Sequence, residues 1–210
     1  MDAFTETLAR VGSNKLDFDR AFRSWERTKG YPVINVTYIS DTESFRITQE
    51  RFFGNKEQRV NDGSSWYIPI NYATARNPNF DDTSVTDYFV DREEMWNILV
   101  PQHDAESWYV FNKQQRGYYR VNYDANNWKL LSNVLSSSDY NKIHVMNRAQ
   151  LIDDSFNLVS AGYLNDYETA YDILKYLVNE DDFFPWYSAN RFISPLYNVF
   201  GSKNAILNVS

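Results

Sequence analysis

Few residues in this sequence are equipped to do chemistry. Histidine occurs twice, as His103 and His144, and cysteine is absent. A catalytic zinc usually takes three protein ligands, commonly two histidines at i and i+4 on a helix plus a carboxylate, with a glutamate nearby to activate the water. The two histidines stand far apart, His103 in an expected loop and His144 at an expected helix start, and no H-E-x-x-H spacing occurs. They read as packing or surface residues, and no metal ligand is assigned. Adjacent carboxylates occur at Asp81-Asp82, Glu93-Glu94, Asp153-Asp154 and Asp181-Asp182. Such pairs can share a proton or hold calcium, yet sequence neighbours point apart, and none of the four alternates oxygens around a glycine. They are read as solvated acids. The seven glycines never gather into a nucleophile elbow or a phosphate loop. No catalytic residue is therefore predicted.

Two other features carry functional meaning. Asn35-Val36-Thr37 and Asn208-Val209-Ser210 are acceptor triplets for N-glycosylation, relevant only to a secreted protein. The run from Trp108 to Asp124 is the most distinctive segment, with two strand-like halves about a polar turn at Arg116-Gly117. It reads as a β-hairpin, with Tyr119, Val121 and Tyr123 on one face and Tyr118, Arg120 and Asn122 on the other. An aromatic platform for sugars or peptides is the alternative reading of the same residues.

The elements that must position these residues follow from periodicity. From Asp17 to Lys29, Phe18, Ala21, Phe22 and Trp25 fall at helical spacing, with Asp17 placed to cap the first turn and Gly30 to end the last. Pro32 then forbids helix continuation. Alternation over Ile34, Val36 and Tyr38 predicts a strand that turns Asn35 to solvent, and the same period recurs in 45–53, 66–72, 95–100, 107–112 and 118–123. Six or seven short strands predict a small antiparallel β-sandwich. After Asp124 helical spacing takes over: Val145, Ala149, Ile152, Phe156 and Val159 up to Gly162, then Ala170 to Val178, then Phe192 to Phe200 interrupted near Pro195. These stripes are broad and nothing covers them after Ser210, so the helical array is expected to be truncated.

Composition narrows the class. The chain has 210 residues, and 17% aromatic content is the reverse of a disordered profile. A net charge of -7 without a cluster of Lys and Arg argues against nucleic acid. Lack of cysteine removes disulfides, thiolate metal sites and thiol nucleophiles. No run approaches a membrane span, and the start, Met-Asp-Ala-Phe-Thr-Glu, lacks the pattern of a signal peptide. As written, the chain is expected to stay in the cytosol.

Four segments in order carry a resemblance. Trp25 with Lys29-Gly30-Tyr31-Pro32-Val33 resembles a W-x-x-x-x-G-Y-P-V junction, and Trp66-Tyr67-Ile68-Pro69-Ile70 a sandwich strand. Gly117-Tyr118-Tyr119-Arg120-Val121-Asn122-Tyr123-Asp124 with Asn127-Trp128 resembles G-Y-Y-R-V-N-Y-D…N-W, and Arg148-Ala149-Gln150-Leu151-Ile152-Asp153-Asp154 resembles R-A-Q-L-I-D-D. Together these are similar to aminopeptidase N-type (gluzincin) zinc aminopeptidases, from the end of the catalytic domain into the C-terminal helical domain. The resemblance implies a parent enzyme that removes N-terminal residues from peptides, with zinc held by H-E-x-x-H and a distant Glu, and with a G-A-M-E-N segment gripping the amine. Those motifs lie upstream of the junction in the family, so no catalytic residue is carried over.

The implied organisation is a helical end of the catalytic domain at 1–30, a β-sandwich at 31–123 and the start of a helical domain at 124–210. The implied role is a spacer and active-site cover, inactive alone, whose partner is the missing catalytic domain. Insect and vertebrate members are often held at the cell surface, which would give the Asn35 triplet meaning. A standalone pseudo-enzyme or a protein- or glycan-binding sandwich is the alternative.

Overall fold

A computed structural model describes residues 18–89 and 95–200. The Asp17 cap, the Glu93-Glu94 pair, the Asn208 triplet and the expected truncation at Ser210 lie outside the described residues. A helix, α1 (Phe18–Arg27), leads into the strands β1 (Pro32–Ile39), β2 (Ser44–Arg51), β3 (Ile68–Ile70), β4 (Tyr72–Thr74), β5 (Asp87–Phe89), β6 (Trp96–Leu99), β7 (Tyr109–Phe111) and β8 (Arg120–Tyr123). Helices α2 (Ala125–Leu135), α3 (Val145–Ser160), α4 (Glu168–Leu174) and α5 (Phe183–Phe200) complete the described chain. A β-then-α arrangement is thus what the periodicity foretold.

Three corrections concern the strands. The main sheet, in the order β6-β2-β1-β8, is mixed, because β8 pairs parallel to β1 with Val33 opposite Arg120 and Val36 opposite Tyr123. The expected hairpin over 108–124 does not form, since β7 pairs with β4 and β8 with β1. Alternation had fixed the faces of each half correctly but says nothing about its partner. The link between the halves is an arch from one sheet to the other, with Asn112, Gln114 and Gln115 in the left-handed region. The run 66–72 is likewise split: β3 pairs with β5 and β4 with β7, and buried Asn71 sits where the chain changes sheets.

The sandwich closes on aromatic rings. Phe45 of the main sheet lies 4.5 Å from the ring of Tyr109, 5.2 Å from Phe111 and 5.2 Å from Tyr72 on the facing strands. Tyr119, Val121 and Tyr123 are buried, whereas Tyr118 is exposed and Arg120 and Asn122 half-buried, as alternation requires. Gly117 is needed for close approach: a Cβ there would lie 2.1 Å from the Tyr119 ring.

The helices dock on the sandwich through α3, which packs against β8 and the arch on one side and α5 on the other. Its Ala149, Ile152, Phe156 and Val159 are buried at the expected steps. One apolar cluster is continuous from Val33 of β1 through Trp128 to Ile173 and Ala189. Helix α2, which the periodicity did not single out, starts at once after Asp124, where helical structure was expected to take over. Two helix expectations need amendment. Val178, expected on a buried stripe, is 86% exposed because α4 tightens into a 3-10 turn over Lys175–Asn179. Pro195 lies inside a continuous α5 rather than breaking it.

Candidate functional site

The residues that carry the family resemblance converge where the sandwich meets α3. Strand alternation turns Arg120 towards α3, and Gln150, Asp153 and Asp154 at i, i+3 and i+4 share the helix face that meets it. Arg120 Nη1 donates to Asp153 Oδ2 at 2.6 Å and to Asp154 Oδ1 at 2.7 Å. The other oxygen of Asp154 accepts from the Val121 backbone N–H at 3.1 Å and from Gln150 Nε2 at 3.3 Å. Arg191 of α5 reaches Asp153 Oδ1 at 3.2 Å. The pair read as solvated acids is therefore the anchor of an ionic joint, with Asp154 only 4% exposed.

Burial pushes the Asp154 carboxyl up to about 6; Arg120 pulls against this, and the neighbouring Asp153 carboxylate adds to it. The joint is walled by aromatic rings. The guanidinium of Arg120 lies 5.0 Å from the Phe52 ring centre, and its Nε donates to the Tyr31 hydroxyl at 3.3 Å. Tyr31 stacks on Phe52 at 5.4 Å and meets exposed Tyr118 at 5.1 Å. Arg120, Asp153 and Asp154 face a cavity of about 280 Å³, which Tyr31, Gly117 and Tyr118 also border.

A chain of buried amides ties the joint to the arch. Asn71 Oδ1 accepts from Lys113 N at 2.8 Å, and its own carbonyl accepts from Asn112 N. Asn112 holds Gly117 at both backbone N–H and carbonyl, at 2.7 and 2.9 Å. Asn147 Nδ2 donates to the Asn112 carbonyl and to Gln150 Oε1, and its Oδ1 accepts from Gln114 N. These asparagines over-determine a backbone whose left-handed residues would each cost of order 1 kcal/mol. Sequence reasoning did not single them out, nor Phe52 and Arg191; an asparagine in a turn, or like Asn147 in the first turn of a helix, carries no signal of burial.

The remaining signature residues serve other contacts. Trp25 Nε1 donates to the Tyr67 carbonyl at 2.9 Å and its ring lies 6.2 Å from that of Trp66, which pins α1 to the sandwich. Gly30 takes φ +84 just before Pro32 opens β1. Asp124 caps α2 through Asn127 N at 2.9 Å and accepts from the Tyr109 hydroxyl at 2.7 Å. Asn122 joins Trp128 Nε1 to Asn35 Oδ1. Asn35 is thereby half-buried rather than facing solvent, with its amide also 3.4 Å from Glu50. Arg148 makes a two-pronged pair with buried Glu180 at 2.6 and 3.0 Å.

The histidines are not brought together as ligands. His103 is buried among Tyr38, Phe45 and Tyr109 with neither ring nitrogen hydrogen-bonded. His144 caps α3, its Nδ1 accepting from Met146 N at 3.2 Å. Such a donor set does not fit zinc, and among the described residues no group of three His, Cys, Asp or Glu is placed to hold a metal. Among the same residues no helix is long and apolar enough to cross a membrane.

Residues 108–208 match the family model of the ERAP1-like C-terminal domain. Aminopeptidase N of Plutella xylostella is 40% identical over 181 residues, covering 86% of this chain and 19% of the relative. Membrane alanyl aminopeptidase of Heliothis virescens is 35% identical over 185 residues, covering 87% of this chain and 17% of the relative. The thyrotropin-releasing hormone-degrading ectoenzyme of Mus musculus is 32% identical over 215 residues, covering 95% and 20%. The chain thus spans about one fifth of the length of these curated relatives. With Arg120, Asp153 and Asp154 of the signature meeting in one joint and similarity running over most of the chain, the chain belongs to the aminopeptidase N-type family and corresponds to its C-terminal region.

Proposed function

We propose that this chain is the non-catalytic sandwich-and-helix segment of a zinc-dependent aminopeptidase that removes N-terminal residues from peptides. In this reading residues 1–30 end the catalytic domain, 31–123 form a spacer and 124–210 begin the helical domain that covers the active-site cavity. The catalytic domain of the same protein is its partner, supplying the zinc and the contacts to the peptide. The cell surface or extracellular space is the setting, in keeping with relatives named as a membrane aminopeptidase and an ectoenzyme. In such a setting Asn35 is a glycan acceptor only if its bonds to Asn122 and Glu50 open.

The observation that carries this reading is the use to which the family residues are put. Arg120, Asp153 and Asp154 join sheet to helix in a buried ionic contact, which is what a rigid support needs and what a reacting site does not. The two histidines are occupied in packing and capping. The test is metal analysis of the purified 210-residue chain together with hydrolysis of a chromogenic amino-acid amide. No turnover and no stoichiometric zinc are expected after dialysis against zinc; one bound zinc per chain with turnover refutes the reading.

A further inference from the structure

Among the described residues, His103 is a buried titratable group whose polar atoms neither the joint nor the fold puts to use. It is 7% exposed, and neither Nδ1 nor Nε2 has a hydrogen-bond partner. Leaving buried polar atoms unpaired is costly, and a phenyl ring would fill the same space without that cost. The imidazole is enclosed by rings in edge-on contact: Tyr38 at 4.7 Å, Phe45 at 5.3 Å and Tyr109 at 5.6 Å. It also forms part of the wall of a cavity of about 270 Å³ shared with Tyr109 and Asp124.

The turn that delivers it is tied to α2 by Asn126 Nδ2, which donates to the Ala105 carbonyl at 2.7 Å, and Arg76 stands 3.9 Å from Asp104, which itself accepts from Glu106 N and Ser107 Oγ. Val100 N donates to the Glu43 carbonyl, His103 N to the Val100 carbonyl and Ser107 N to the Asp104 carbonyl. The Tyr38 hydroxyl donates to the His103 carbonyl at 2.6 Å. Gln102, just before the histidine, is left-handed at φ 67. We propose that the turn from Val100 to Ser107 is an acid-released plug: it stays seated while His103 is neutral and swings out when the imidazole takes a proton, opening that end of the sandwich.

The charges around the imidazole support this direction. Burial is the leading influence and disfavours the charged form; Asp104 and the Ser107 backbone on the same turn oppose it, Arg76 after β4 reinforces it, and the net effect holds the imidazole below its ordinary value. From β1 and β7 come the hydroxyls of Tyr38 and Tyr109, the second of which is committed to Asp124. β2 contributes the Phe45 ring, and Glu43 just before it lies near the Tyr38 hydroxyl. No carboxylate lies in hydrogen-bond contact with the ring, so a proton on it is better accommodated outside than in. The cage rings offer some cation–π attraction but cannot supply the hydrogen bonds both N–H groups of an imidazolium need.

Native-state hydrogen exchange of the 210-residue chain tests the plug, with the amides of Val100, His103 and Ser107 as reporters and rates corrected for intrinsic pH dependence. Opening by a single proton on a group of ordinary pKa 6.5 raises the opening constant by up to about tenfold between pH 7.5 and 5.5. The rise should vanish in His103→Phe, which keeps the ring and loses the proton, and persist in His144→Gln. The Cε1 proton of His103 should titrate below the ordinary value in the wild-type chain, a measurement that needs no variant to fold. Flat exchange at all three amides, an equal rise in His103→Phe, or a His103 midpoint at or above 6.5 overturns the proposal.

Discussion

Replacing Arg120 by Met removes the one cation that reaches both Asp153 and Asp154. Asp153 keeps Arg191, but Asp154 is left in the interior with the Val121 amide and Gln150 as its donors. Stranding a buried charge in this way costs about 3–5 kcal/mol. The carboxyl has an escape, because its pKa is already pushed up to about 6 and loss of the guanidinium moves it higher. A protonated Asp154 has no charge to strand, so the loss should be near its full value at pH 8 and much smaller at pH 5.5.

The sign for the wild-type chain follows the same logic. A folded-state value raised from 3.8 to about 6 stabilises the chain by about 3 kcal/mol below pH 3.8, and this is lost as pH rises through 6. Asp154→Leu should cost less, about 1–3 kcal/mol, since Arg120 retains Asp153. The double variant should lose less than the two single losses added together. Urea unfolding followed by far-UV circular dichroism and tryptophan fluorescence at pH 8 and 5.5 measures all four corners. Equal losses at the two pH values, or additivity within about 0.5 kcal/mol, would refute the ionic joint.

Other substitutions probe the surroundings. Gly117→Ala forces a methyl group into the Tyr119 ring and should destabilise by about 1–3 kcal/mol in the same unfolding assay, while Gly54→Ala, with open space around it, should stay within about 0.5 kcal/mol. Asp124→Ala removes the α2 cap and leaves the Tyr109 hydroxyl only the Val36 carbonyl at 3.5 Å as acceptor, for a combined loss of about 1–3 kcal/mol; loss of α2 amide protection in hydrogen exchange checks the cap separately. Arg148→Lys keeps the charge but not the two-pronged contact with Glu180, so it should lower the unfolding midpoint despite being formally conservative.

Much of the fold was legible because burial imposes period. The alternation in β1, β2 and β8 and the three-and-four spacing of α3 each identified the element and the face it buries. Partnership was not legible, since alternation is the same whichever strand lies alongside, and the arch at 112–119 looks like any hairpin turn until Asn112, and the Asn71 and Asn147 that hold it from outside, are seen to be buried. β5 is three residues long, too short for a period to emerge. Helix α2 escaped notice although Asp124 is an ordinary N-cap, because the strand-like motif before it drew the reading. As for the site, the motif residues were named, but the meeting of Arg120 with Asp153 and Asp154 is set by how α3 crosses β8, which no local spacing encodes.

The parallel pairing of β8 with β1 has a bearing on biosynthesis. β1 finds β2 across a tight turn, yet its other edge waits until residues 120–123 have been translated. A nascent or clipped product ending inside the arch would carry a fully formed β1 with a bare row of amides and carbonyls over Val33–Val36, open to any passing extended chain. Late arrival of so short a strand makes closure of this layer a non-local event, slow relative to the helices that follow it.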